Sequence, residues 1–224
     1  MTHQSLALVT GANRGIGAAL LHLLSERGPA LGTSRQGTAS GPDDAGLLPL
    51  DVTSVASLKA LAEQMQGRAI ELLVCNAGVY LDKGQSLSEG YDARLWADTF
   101  ATNVTGVFQT VQTFLPNLHL AERPRIALIG SQMGSATRAP GGSYIYRASK
   151  AAVLNMGRNL ATELQPSGIA VGIYHPGWVR TDMGGAAADI DVQEAAEGLI
   201  ARFDSLGPDH TGVFETWDGR DHPF

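Results

Sequence analysis

Cysteine, lysine and long apolar runs are all scarce in this chain of 224 residues. Cys75 is the single cysteine, so no intramolecular disulfide can form, which fits a reducing compartment. Acidic side chains outnumber basic ones, 22 to 16, for a formal net charge of −6. That balance argues against a broad electrostatic grip on nucleic acid or anionic lipid. No apolar stretch reaches the roughly 18 residues of a membrane helix. No basic segment followed by an apolar one opens the chain as a secretory leader would. The expectation is a soluble cytoplasmic protein with no nucleic-acid or membrane partner. The six histidines show no ligand spacing, so no metal is expected. A G-x-S-x-G elbow is missing, which removes the usual serine hydrolases.

What is plentiful is glycine, 27 residues, set between short apolar runs rather than in low-complexity tracts. Strand-like runs fall at residues 5–9 (SLALV), 30–33, 47–50, 71–75 (ELLVC), 125–130 (RIALIG), 169–174 (IAVGIY) and 213–216. Helical spacing fills residues 16–27, 95–118, 144–165 and 192–203, and a helix from a Thr53 or Ser54 cap runs to about Gly67. Gly28 reads as the stop of the first helix. Alternating strands and helices predict an α/β fold: a doubly wound, buried parallel sheet of about seven strands with helices on both faces, as one domain over residues 1–224.

Three features carry chemistry. The first is TGANRGIG, residues 10–17, between a strand and a helix. Glycine permits the sharp turn, and a missing Cβ lets a pyrophosphate approach the helix N-terminus. Alone, such a turn is a weak signal. The second is YIYRASK, residues 144–150, which holds two of five tyrosines and one of three lysines. Helical residues four apart share a face, so Tyr146 rather than Tyr144 pairs with Lys150. A phenol near pKa 10 is a poor proton shuttle at neutral pH. An adjacent ammonium would lower that value and make it an acid–base group. The third is Ser131 at the end of the fifth strand, where a hydroxyl can donate to a substrate oxygen. Asn103 stands inside a predicted helix although asparagine is a poor helix former.

Taken in order, TGANRGIG, NAG (Asn76, Ala77, Gly78), NVTG from Asn103, Ser131, YRASK and PGWVRT resemble the short-chain dehydrogenase/reductase family, of the compact Rossmann type, over nearly the whole chain. The later TDMGGAA and the tail resemble its sniffer/C-factor carbonyl-reductase branch. The resemblance implies Tyr146 as general acid or base, with Lys150 tuning it and bonding the nicotinamide ribose. It implies Ser131 polarising the carbonyl and Asn103 holding a relay water. Gly11, Asn13, Arg14, Gly15, Ile16 and Gly17 would form the pyrophosphate turn. Asp51 and Val52 would contact adenine, and Asn76, Ala77 and Gly78 would lie near the adenosine end. Pro176, Gly177, Val179 and Thr181 would border the nicotinamide.

Ser34 occupies the place where NAD-preferring relatives carry an aspartate, and Arg35 follows it. With Arg14, two guanidiniums could clamp a 2′-phosphate, so NADP(H) is expected ahead of NAD(H). The implied partner is a small carbonyl or alcohol, and relatives suggest a homodimer or homotetramer. Tyr80, Leu81, Met133, Tyr144, Trp178 and Met183 flank the motifs as pocket candidates. The loop 133–143 would cover that pocket, and 182–191 is expected to act as a mobile lid. Two rival readings remain: a non-catalytic nucleotide-binding signal or redox sensor, and an epimerase or dehydratase using the same tyrosine–lysine pair.

Overall fold

The computed structural model describes residues 6–44 and 46–224. Ser5, the first residue of the expected opening strand, and Ala45, within the expected 37–46 loop, lie outside the described residues. In chain order the elements are β1 Leu6–Val9, α1 Gly15–Arg27, β2 Ala30–Ser34, β3 Leu47–Pro49, α2 Val55–Gln64 and β4 Ile70–Cys75. There follow α3 Ala93–Phe100, α4 Gly106–Leu118, β5 Arg125–Ile129, α5 Tyr144–Leu164, β6 Ala170–His175, α6 Val192–Ser205 and β7 Phe214–Thr216. Among the described residues, no helix is long and apolar enough to cross a membrane.

All seven strands are parallel and ordered β3-β2-β1-β4-β5-β6-β7. Successive side chains of a strand point to opposite faces, and both faces here are apolar. Leu6, Leu8, Ile126 and Leu128 join the core under α2, α4 and α5 with Leu61, Phe114 and Val153. Ala7, Val9, Ala127 and Ile129 join the core under α1 and α6 with Leu20, Leu199 and Phe203. Strand order reverses between β1 and β4, and a crevice at the carboxyl ends of such a switch point is where doubly wound sheets place their ligands.

Local details depart from the periodicity. Gly28 does end α1, but in an extended conformation (φ 167°) rather than a left-handed one. Ser54, not Thr53, caps α2, its hydroxyl accepting from the Ser57 N–H. The helix expected over 95–118 is interrupted by a π-turn at Ala101–Thr105, marked by the Gly106 N–H reaching the Ala101 carbonyl. Such wide turns recur at functional sites, and this one contains Asn103.

Candidate active site

The glycine turn is built by backbone. Gly11 (φ +65°) and Gly15 (φ +55°) occupy the left-handed region that other residues rarely adopt. A Cβ at Gly17 would run into the Gly11 carbonyl and the Asn76 amide, so this glycine is required by the packing of the turn itself, not only by a ligand. Asn76 secures the turn: its Nδ2 donates to the carbonyls of Thr10 (3.0 Å) and Gly11 (2.9 Å). The Asn76 and Ala77 N–H groups donate to the Thr10 hydroxyl. The Arg14 side chain makes no capping bond at the N-terminus of α1, and the first turn carries no acidic residue. The leading N–H groups of α1 therefore present an uncapped, positive helix end, which fits a phosphate. Asn13 and Arg14 are exposed beside it, and Ile16 is half-buried.

Lys150 and Tyr146 do share a face of α5: Nζ lies 5.7 Å from the Tyr146 ring centroid. Tyr144 points elsewhere, 41% exposed and edge-on to Tyr91. Asn103, Ser131, Tyr146 and Lys150 are all buried. Lys150 Nζ donates to the Ile129 carbonyl at the end of β5 (2.8 Å). Asn103 is held by reciprocal bonds with Val79, its Oδ1 accepting at 2.8 Å and its Nδ2 donating at 2.9 Å, and it also donates to Ser149 Oγ. A Cβ at Gly78 would sit 3.3 Å from Asn103 Oδ1 and 3.9 Å from Lys150 Nζ, so the NAG turn lies against both.

Electrostatics correct the expectation for the phenol. Burial pushes Tyr146 up to about 12, helped by Tyr80, while the Ser131 side chain works the other way. Burial pushes Lys150 down to about 8. Desolvation is the largest cause of both shifts, so burial opposes the acidification that pairing with Lys150 was expected to bring.

The strip after β6 closes the cleft. Thr181 Cγ2 stands 3.4 Å from where a Gly15 Cβ would be, so this strip meets the glycine turn. Pro176 and Gly177 are half-buried, and Val179 is buried in a bridge with Ile190. The loop expected to be a mobile lid carries several hydrogen bonds to its own strip. Arg180 Nη1 donates to the Ala188 and Asp189 carbonyls, Gly185 N–H to the Thr181 carbonyl, and Trp178 Nε1 to the Gly184 carbonyl. Arg14 pairs with Asp182 of this loop at 2.5 Å. At the far end, Ser34 Oγ accepts from the Gly37 N–H and Arg35 is exposed. Arg35 forms no ion pair among the described residues, though its charge contributes to lowering the Asp51 carboxyl, after the bonds from Thr53. Val52 is buried next to Gly106.

A family model for short chain dehydrogenases matches residues 5–190. The chain belongs to the short-chain dehydrogenase/reductase family. It is 35% identical to C-signal of Myxococcus xanthus over 169 residues, 75% of this chain and 100% of that relative. Its fold matches an NADPH-bound carbonyl reductase from chicken fatty liver with a TM-score of 0.85, at 30% identity and 100% coverage of both chains. The carbonyl reductase Sniffer of D. melanogaster matches with a TM-score of 0.87, at 26% identity over 98% of this chain and 99% of that one. This oxidoreductase family thus includes, among the neighbours of this chain, carbonyl reductases of the expected branch.

One residue of this short-chain dehydrogenase escaped the sequence reading. Asp82 is fully buried, and its two carboxylate oxygens accept from the Ile145 N–H (2.9 Å) and the Tyr146 N–H (3.2 Å). It caps α5 from a distant loop, because Ser143, at the local cap position, is left-handed (φ 49°) and makes no capping bond. Tyr80, expected only as a pocket residue, stacks on Tyr146 with ring centroids 4.3 Å apart and bonds Ser143 Oγ. Of the other pocket candidates, Trp178 lines a cavity, Met133 is half-buried, and Leu81 and Met183, like Trp178 itself, are partly exposed.

Proposed function

We propose that the chain is an NADPH-dependent reductase of a ketone or aldehyde, able to run in reverse on an alcohol. The observation that carries this reading is the convergence of Ser131, Tyr146 and Lys150, all buried, at the carboxyl edge of the sheet beside the glycine turn. A bound nicotinamide would supply the hydride. Gly11 to Gly17 would hold its pyrophosphate on the open end of α1. The strip Pro176–Thr181 would border the ring, and Lys150 would hold the ribose. Ser131 would donate a hydrogen bond to the substrate oxygen, and Tyr146 would hand that oxygen its phenolic proton. Burial keeps the phenol protonated at neutral pH, and the Ser131 side chain, which pulls its pKa down, is the contact that favours its giving that proton up. Arg35 and Ser34 support NADP(H) over NAD(H), since neither would repel a 2′-phosphate. The exposed Arg14–Asp182 pair is worth at most about 1 kcal/mol, weak enough for Arg14 to exchange partners.

The test is NADPH oxidation against a panel of ketones and aldehydes, with Tyr146→Phe as control. Phenylalanine preserves the buried ring and the stack on Tyr80. Turnover is expected to fall at least about 100-fold with nucleotide affinity retained. Comparable turnover in the variant would refute the assigned role. NADPH binding with no carbonyl reduced by the wild type would favour the nucleotide-sensing reading instead.

A further inference from the structure

Beyond the reacting groups, the ends of β6 and β7 enclose a cavity of about 370 Å³. Its wall includes Gln132, the residue after Ser131, and Gly177 and Trp178 of the strip that meets the glycine turn. The cavity therefore reaches the residue after Ser131, though Asn103, Ser131, Tyr146 and Lys150 themselves are not on its wall. Arg138, Arg220, His175 and His222 line it, with Asp189 as the one carboxylate. His175 is 8% exposed, and its Nδ1 has no hydrogen-bond partner among the described residues. Buried polar atoms are rarely left so. Arg220 gives its Nε to Asp218, whose other oxygen accepts from Thr216, and among the described residues its terminal nitrogens have no protein acceptor. Arg138 reaches Gln132 Oε1 through one terminal nitrogen.

We propose that this cavity takes a carboxylate carried by the substrate at the end away from the reacting carbonyl. The inference rests on the reductase reading above. Unspent guanidinium donors of Arg138 and Arg220 meet there beside the His175 ring, and a carboxylate offers only acceptors. Asp189 and Asp218 offset the two guanidinium charges, so what is left for a ligand is unspent donors, which suit a singly charged carboxylate better than a phosphate dianion. Burial first, then His222 and Arg138, push the His175 imidazole toward its neutral form, with Asp218 opposing them. Trp217 and Ile190 give the methylenes of such a substrate an apolar wall.

The test uses the full chain. Butanoate, a carboxylate with no carbonyl to reduce, is titrated while NMR follows the His175 ring nitrogens, with butanamide as the neutral control. A saturable shift with butanoate alone is expected, and it should vanish in the double variant Arg138→Gln, Arg220→Gln. No saturable shift, or the same shift with butanamide, overturns the proposal. With NADPH, levulinate should exceed its methyl ester about tenfold in kcat/KM, and the ratio should fall to near one in the double variant. An ester reduced as well as the acid sinks the subsite and leaves the reductase reading standing. Reduction of neither compound, with butanoate still binding through the arginines, counts against the reductase reading and supports the subsite.

Discussion

At the scale of single residues, two side-chain choices can be probed without disturbing the sheet. Gly17 has no room for a methyl group, because the Gly11 carbonyl and the Asn76 amide occupy the space. Gly17→Ala should therefore cost about 1–3 kcal/mol by overpacking and weaken nucleotide binding by spreading the turn. Urea denaturation and a nucleotide titration measure the two effects, and a variant as stable as the wild type would contradict the packing. Arg35 sits at the end of β2 with no ion pair among the described residues, so its removal leaves no orphaned carboxylate. Arg35→Ala should raise the Michaelis constant for NADPH about tenfold or more and leave that for NADH nearly unchanged. Equal effects on both nucleotides would remove the basis for the NADP(H) assignment. That Tyr146 rather than Tyr144 shares a helix face with Lys150 was legible in the sequence, because four-residue spacing is a local rule. The upward push on its phenol was not, because it comes from burial first and then from Tyr80, which is distant in sequence.

At the scale of elements, α5 carries Tyr146 and Lys150 and is positioned from outside. Asp82 takes the N–H groups of Ile145 and of Tyr146 itself, across 63 and 64 residues of sequence. Asp82→Ala should cost about 1–2 kcal/mol by leaving two buried donors unpaired. It should also lower kcat more than it raises KM, since the first turn of α5 sets the phenol. Asn at this position keeps one carbonyl acceptor and should restore part of both losses. Thermal unfolding alongside steady-state kinetics checks this, and a stability loss with kcat intact would make Asp82 a fold residue only. No local pattern announces such a cap: the sequence near Ser143 offers glycines and a serine, and the acceptor comes from the loop after β4. The π-turn at Ala101–Thr105 was likewise hidden, since apolar periodicity runs through it with little change. The strands, by contrast, were legible to within a residue or two, because a sheet buried on both faces demands continuous apolar runs.

At the scale of the whole molecule, three buried groups should shape stability against pH. His175 is pushed down to about 4, first by burial and then by His222, Arg138 and Arg220 against Asp218. The unfolded chain takes up a proton near its ordinary 6.5 while the folded one does not, so stability should fall as pH drops from about 6.5 to 4. Lys150, lowered from 10.5 to about 8, has the same sign in another window. Below pH 8 the fold bears the full penalty of a buried ammonium, and that penalty should fade between about 8 and 10.5. Tyr146, raised to about 12, reverses the sign: above pH 10 the unfolded phenol ionises first, and stability should fall. Variants separate these contributions from the rest of the titrating surface. Lys150→Met should be more stable than the wild type at pH 7, with the advantage shrinking by pH 10. His175→Gln should lose less stability than the wild type between pH 6.5 and 4. Denaturant midpoints at these pH values decide the matter: an advantage of Lys150→Met that is the same at pH 7 and pH 10 would mean that the ammonium carries no desolvation penalty in the fold.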